Sequence, residues 1–205
     1  MKIVIVGSTG RTGMEVVTQA LARGHQVCAW ARTPEKMPLE HPNLEVLAID
    51  ILSSELEAAL TGAQAVIVSL GGAHLKDTAT RSEGTKRLIE AMQRADVDRL
   101  VVVSTAGVGS SFDQLSPRGQ EVVRTVIKEA VEDHGRQEAL VTSSGLRWTI
   151  GRPGGLGTGP LSSYVADPNG EIQIGGIDRA CVADFALNAI ENDATVGKIF
   201  GLSGS

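Results

Sequence analysis

Lys2-Ile3-Val4-Ile5-Val6-Gly7-Ser8-Thr9-Gly10-Arg11-Thr12-Gly13 is the stretch on which the reading of this chain turns. The run Ile3–Val6 is continuously apolar and β-branched, the pattern of a parallel strand buried on both faces. Three glycines follow at intervals of three, and an amphipathic stretch over 11–23 comes after them. Gly7 permits a tight turn, Gly10 lets the backbone approach a pyrophosphate, and Gly13 lets the new helix pack closely on the strand. The exposed N–H groups and the positive end of that helix then hold the phosphates, with Thr9, Arg11 and Thr12 placed to add side-chain contacts. No Gly-Lys-Ser/Thr follows, so this is not the phosphate loop of nucleotide hydrolases.

Outward from the turn, short apolar runs alternate with helix-like stretches. The runs are Ile3–Val6, Gln26–Trp30, Leu44–Ala48, Ala65–Leu70, Leu100–Ser104 and Trp148–Ile150; the helical stretches cover 11–23, 54–60, 78–95 and 119–144. Such alternation predicts a doubly wound α/β fold of Rossmann type, with a parallel sheet and right-handed crossovers. Residues 151–160 are so rich in glycine and proline that they read as a loop. A strand over 171–174, a helix over 180–191 and a strand over 198–202 complete the pattern. With 205 residues and no linker-like stretch, one domain is expected over 1–205, its segment from about 152 to 205 covering the substrate.

The net charge of −5 argues against non-specific binding to nucleic acid or an anionic membrane, and no apolar run approaches the ~20 residues that span a bilayer. Cys28 and Cys181 lie in apolar settings without metal-ligand spacing, and His25, His41, His74 and His134 form no cluster, so no metal is expected. Reduced, buried thiols and no signal-peptide pattern give a cytoplasmic expectation, as a monomer or weak homo-oligomer.

The choice of dinucleotide rests on the end of the second strand. An NAD-binding domain carries an Asp or Glu about 20 residues past the glycine turn, where it accepts from the adenosine ribose. Here the strand ends Trp30-Ala31-Arg32-Thr33. A guanidinium there suits a 2′-phosphate, which it binds bidentately, and Lys36 adds charge. NADP(H) is the expected cofactor.

The chain also resembles the atypical short-chain dehydrogenase/reductase group, and within it the biliverdin-IX-beta reductase/NADPH-dependent flavin reductase proteins. The resemblance runs over Gly7–Gly13, Arg32, Asp50-Ile51, Ala65–Gly72, Ser82–Thr85, Ser104–Ala106, Ser144–Ile150 and Arg152-Pro153. It implies that Asp50 and Ile51 meet the adenine, and that Leu70 and Gly71 pass along the adenosine ribose. By the same resemblance Ser104 and Thr105 lie near the nicotinamide ribose and the reacting ring, and Pro153 and Gly154 flank the carboxamide. The order Ser104-Thr105 is reversed relative to the family, so either hydroxyl can be the one that meets substrate.

Standard short-chain dehydrogenases pair a tyrosine acid with a lysine four residues on. The only tyrosine here is Tyr164, followed at that interval by Pro168. An ordinary alcohol dehydrogenase is therefore disfavoured. A flavin or a biliverdin-like tetrapyrrole spreads the arriving charge over a conjugated system and takes its proton from solvent, leaving the protein to orient the rings. Ser104 and Thr105 would donate to the acceptor's polar edge, with Phe112, Leu156 and Leu161 as an apolar floor. The competing reading is a non-catalytic NADP(H)-binding redox sensor. His134 reads as a surface residue, with a weak acid near the nicotinamide as its functional alternative, and Asp184 reads as structural at a helix start.

Overall fold

A computed structural model describes residues 1–71 and 78–205; Gly72 and His74, named above, lie outside the described residues. Ten strands and five α-helices are formed among them. In chain order these are β1 (Lys2–Val6), α1 (Arg11–Ala22), β2 (Gln26–Ala31), β3 (Leu44–Ala48), β4 (Ala65–Val68), α2 (Thr80–Arg94), β5 (Arg99–Val103) and α3 (Pro117–Thr125). Then come α4 (Lys128–Thr142), β6 (Arg147–Pro153), β7 (Leu156–Gly157), β8 (Tyr164–Asp167), β9 (Ile177–Asp178), α5 (Arg179–Glu191) and β10 (Lys198–Gly204).

The main sheet runs β3-β2-β1-β4-β5-β6-β10-β8. Every neighbouring pair in it is parallel except β10 with β8. The strand order reverses between β1 and β4, the switch point outside which open α/β sheets bind ligands. Because side chains alternate across a strand, β1 feeds two cores. Ile3 and Ile5 pack with Val16, Val17 and Ala20 of α1 and with Val182 and Ala186 of α5. Val4 and Val6 pack on the other face with Leu88 and Met92 of α2 and Val141 of α4. Each buried Val, Ile, Leu or Met side chain among them contributes roughly 1.5–3 kcal/mol. The continuous apolar runs are thus explained by a sheet covered on both sides.

Four expectations need correction. The 54–60 helix is only a short 3-10 turn at Ala58–Leu60. Ahead of it the Asp50 carboxylate accepts from the Leu52 N–H and the Asp50 N–H donates to Ser54 Oγ, a local turn that competes with helix. The 119–144 helix is two helices, broken at Val126-Ile127, where Ile127 takes φ −121° and ψ 20°. Two adjacent β-branched residues weaken helix there. The 151–160 loop is not wholly irregular: β6 runs to Pro153 because β5 and β10 flank it, and Leu156-Gly157 pairs with Ile177-Asp178. Finally, 171–174 holds one isolated bridge, Ile174 with Leu115, and the strand lies earlier, at β8. The Asp167 carboxylate accepts from the N–H groups of Asn169, Glu171 and Ile172 and folds that stretch into a loop. Those bonds hold its pKa below the usual carboxylate value.

Candidate functional site

At the carboxyl ends of β1 to β4 the glycine turn opens a cleft of about 290 Å³. Gly7 has φ +80°, and a Cβ on it would stand 2.4 Å from the Ser69 carbonyl oxygen. On Gly13 a Cβ would stand 2.2 Å from the Gly7 carbonyl, so α1 leaves the strand at a distance that only glycine allows. Ser8 is fully buried and donates to the Trp30 carbonyl at 2.9 Å, tying the turn to the end of β2. Helix α1 begins at Gly10 with no side chain capping it. Its first-turn N–H groups are left to a ligand or water, and Gly10 itself is exposed. A diphosphate fits this cradle.

The cleft brings together Gly7, Thr9, Gly10, Arg32, Asp50, Ile51, Leu70 and Gly71, with Lys36 and Thr33 beside Arg32. Arg11, Thr12 and Gly13 are not in its lining: Arg11 is exposed, and Thr12 and Gly13 are buried. Trp30, Ala31, Ile49, Ser69 and Thr80 complete the walls and were not singled out in the sequence, since strand-end apolar residues look like any other core. Arg32 and Lys36 are both exposed, a paired cationic rim. Of the Asp50 carboxylate, Oδ1 accepts from Leu52, and Oδ2 is without a partner among the described residues. The stretch after Asp50 is fastened by Arg87, which donates to the carbonyls of Ile51 and Ser54 at 3.0 and 2.8 Å.

Farther along the same edge, at the carboxyl ends of β5 and β6, lies a second pocket of about 460 Å³. Thr105, Pro153 and Gly154 line it, as do Leu115, Val122, Val123, Ile127 and Ile174. Phe112, Leu156 and Leu161 do not. Phe112 packs beside the Val108, Val123 and Val131 cluster under the Arg124 guanidinium, while Leu156 and Leu161 are exposed. The apolar wall comes instead from Val122 and Val123 of α3, with Leu115 before that helix, Ile127 at the break after it and Ile174. This was hidden in the sequence by reading 119–144 as one helix.

The two hydroxyls at the end of β5 differ in surroundings. Ser104 is buried and donates to Glu138 Oε1 at 2.5 Å. Glu138 is also held by Arg152, with Nη2–Oε2 at 2.6 Å and Nε–Oε1 at 3.0 Å. Thr105 is half-buried, and its hydroxyl makes only a 3.3 Å bond to the Ala106 carbonyl. It is therefore Thr105 that faces the pocket.

His134 is buried rather than on the surface, bonded through Nδ1 to Gln137. Burial, reinforced by the Arg81 charge, pushes its pKa down to about 4, so it is neutral at ordinary pH and lines neither pocket. Tyr164 donates to Asp184 Oδ2 at 2.8 Å, and burial raises its pKa. Asp184 in turn pairs with Arg23 at 2.6 Å, from the second turn of α5 rather than its start. Both cysteines are buried and free. Among the described residues there is no group of three or more His, Cys, Asp or Glu able to hold a metal, and no helix is long and apolar enough to cross a membrane.

The NAD(P)H-binding family model matches residues 7–193. An uncharacterised chloroplastic protein of Arabidopsis thaliana is 29% identical over 211 residues, covering 97% of this chain and 75% of that protein. An anaerobilin reductase of Escherichia coli O157:H7 superposes with a TM-score of 0.81 at 22% identity, covering 99% of this chain and 97% of the other. A candidate NADH-flavin reductase of Streptococcus pneumoniae gives 0.82 at 21% identity, with both chains covered completely.

Proposed function

The chain belongs to the NAD(P)H-binding family, and from that premise we propose that it is an NADPH-dependent reductase of flavins or biliverdin-like tetrapyrroles. The observation that carries this reading is the acceptor pocket beside the nucleotide cleft. It joins Thr105 and the Pro153-Gly154 turn to an apolar wall, and among the described residues no Asp, Glu, His or Tyr lines it. Such a pocket suits an acceptor that needs no protein acid.

In this reading the first-turn amides of α1 hold the diphosphate, and Arg32 with Lys36 holds a 2′-phosphate. Asp50 Oδ2 accepts from the adenine amino group, Ile51 packs on its face, and Leu70 and Gly71 follow the ribose. Arg11, exposed at the helix mouth, reaches toward the phosphates, and Thr12 contributes its backbone N–H. The bound dihydronicotinamide supplies a hydride. Pro153 and Gly154 flank its carboxamide, Thr105 donates to the polar edge of the acceptor, and Ser104 holds the strand end through Glu138. Solvent supplies the balancing proton. The distant likeness to an anaerobilin reductase and a candidate flavin reductase agrees with a conjugated acceptor.

The test is NADPH oxidation, followed by its absorbance, with FMN, riboflavin and biliverdin offered in turn. Acceptor-dependent oxidation is expected with at least one. Tight NADPH binding with no oxidation under any of them would overturn the enzyme reading in favour of a redox sensor.

A further inference from the structure

Among the described residues lining the acceptor pocket, one side chain is charged: Arg118, in the first turn of α3. It is exposed and forms no ion pair with a described residue. Around it the lining is Leu115, Val122, Val123, Ile127 and Ile174, the hydroxyls of Thr105 and Ser116, and glycine backbone at 154–155 and 175–176. Ser116 Oγ is already engaged, accepting from the Gly119 N–H at 3.2 Å. Val122 is 40% exposed, so apolar surface lies open beside the guanidinium. A neutral apolar ligand would use the wall and leave the cation idle. A charged ligand without apolar surface would use the cation and leave the wall wet.

We propose that the pocket selects planar conjugated acceptors carrying a pendant anionic group, with Arg118 as the residue that reads the anion. The ring lies on the α3 wall with its polar edge at Thr105, and a phosphate or carboxylate on its side chain meets Arg118. A guanidinium presents a planar fork that matches either anion. This deepens the reductase reading and rests on it. The reaction balances as before: the acceptor gains a hydride from NADPH, which leaves as NADP⁺, and a proton from water. Arg118 takes no part in either transfer. It is a specificity residue.

The experiment compares matched acceptors that differ only in their anionic groups, a phosphate in one pair and two carboxylates in the other. FMN is set against riboflavin, and biliverdin against its dimethyl ester, for the unaltered protein and for Arg118→Gln and Arg118→Lys. A charge-assisted contact of ordinary strength corresponds to about tenfold in binding. The ratio of kcat/KM for the anionic over the neutral member is expected near that value in one pair, with the difference in KM. Arg118→Gln should bring the ratio close to one, and Arg118→Lys should restore most of it. A ratio near one in the unaltered protein, or equal losses for both members in Arg118→Gln, would overturn the proposal. Flavin fluorescence quenching gives binding independently of turnover. FMN held more tightly than riboflavin in an Arg118-dependent way, without NADPH oxidation, supports the anion site and defeats the reductase reading. Turnover without charge preference does the reverse.

Discussion

Glu138 on α4 and Arg152 on β6 form a two-pronged ion pair whose shortest N–O distance is 2.6 Å, both side chains being almost wholly out of water. Ser104 adds a further bond to the same carboxylate. The pair therefore ties the ends of β5 and β6 to a helix, one residue away from Thr105 and from Pro153. Breaking a buried pair from one side leaves an uncompensated charge and costs roughly 3–5 kcal/mol. Glu138→Ala should lower stability by that order in urea unfolding. Arg152→Met combined with Glu138→Gln should recover much of the loss, because no charge is then stranded.

Arg32 and Lys36 stand together on the rim of the nucleotide cleft. In the proposed reading, replacing Arg32 by Glu exchanges an attraction for a repulsion at the 2′-phosphate alone. NADPH affinity should fall roughly 10- to 100-fold, given the ~1.5–3 kcal/mol typical of a hydrogen bond to a charged group, while NADH affinity changes far less. Parallel fluorescence titrations with the two dinucleotides measure this, and equal losses would remove Arg32 from that role.

Gly13 passes so close to the Gly7 carbonyl that a methyl group has no room. Gly13→Ala should push α1 off β1, lowering both the thermal midpoint and dinucleotide affinity. Since the obstacle is backbone rather than a movable side chain, no rotamer relieves it. Gly24→Ala is the control: a Cβ there meets nothing within 4 Å, and its φ of +79° predicts a modest loss of stability with affinity retained.

His134 carries the pH prediction. Its pKa, about 4 in the folded protein against 6.5 ordinarily, means that the unfolded chain binds the extra proton between those values. Stability should be unaffected above pH 6.5 and decline as pH falls toward 4. The loss attributable to this group is roughly 1–2 kcal/mol by pH 5. Urea unfolding at pH 7 and pH 5 gives the slope, and His134→Gln should flatten it.

How far the sequence could be read depended on the kind of signal. Ile3–Val6 and Ala65–Val68 are legible because a strand buried on both faces cannot be written otherwise, and the glycine turn because three close approaches demand glycine. The break at Val126-Ile127 was not legible: helix propensity differs by only tenths of a kcal/mol per residue, and packing of α4 against α2 decides the outcome. The network of Ser104, Glu138 and Arg152 was equally hidden, since residues separated by 34 and 14 positions meet only once the sheet is assembled. Asp167, which folds 168–172 by accepting three backbone N–H groups, defeated the strand expected there. Its competing bonds are local, but nothing in apolar patterning reports them.

The two recesses draw on separate strands. In the proposed reading, grip on the coenzyme is set by the ends of β1 to β4, whereas the acceptor's surroundings are written in α3 and in the glycines near positions 155 and 175. On that reading, one electron acceptor can be exchanged for another by editing a nine-residue helix and a few neighbouring loop positions, while the hydride donor stays in place. A laboratory search for new acceptors has a correspondingly small library to build.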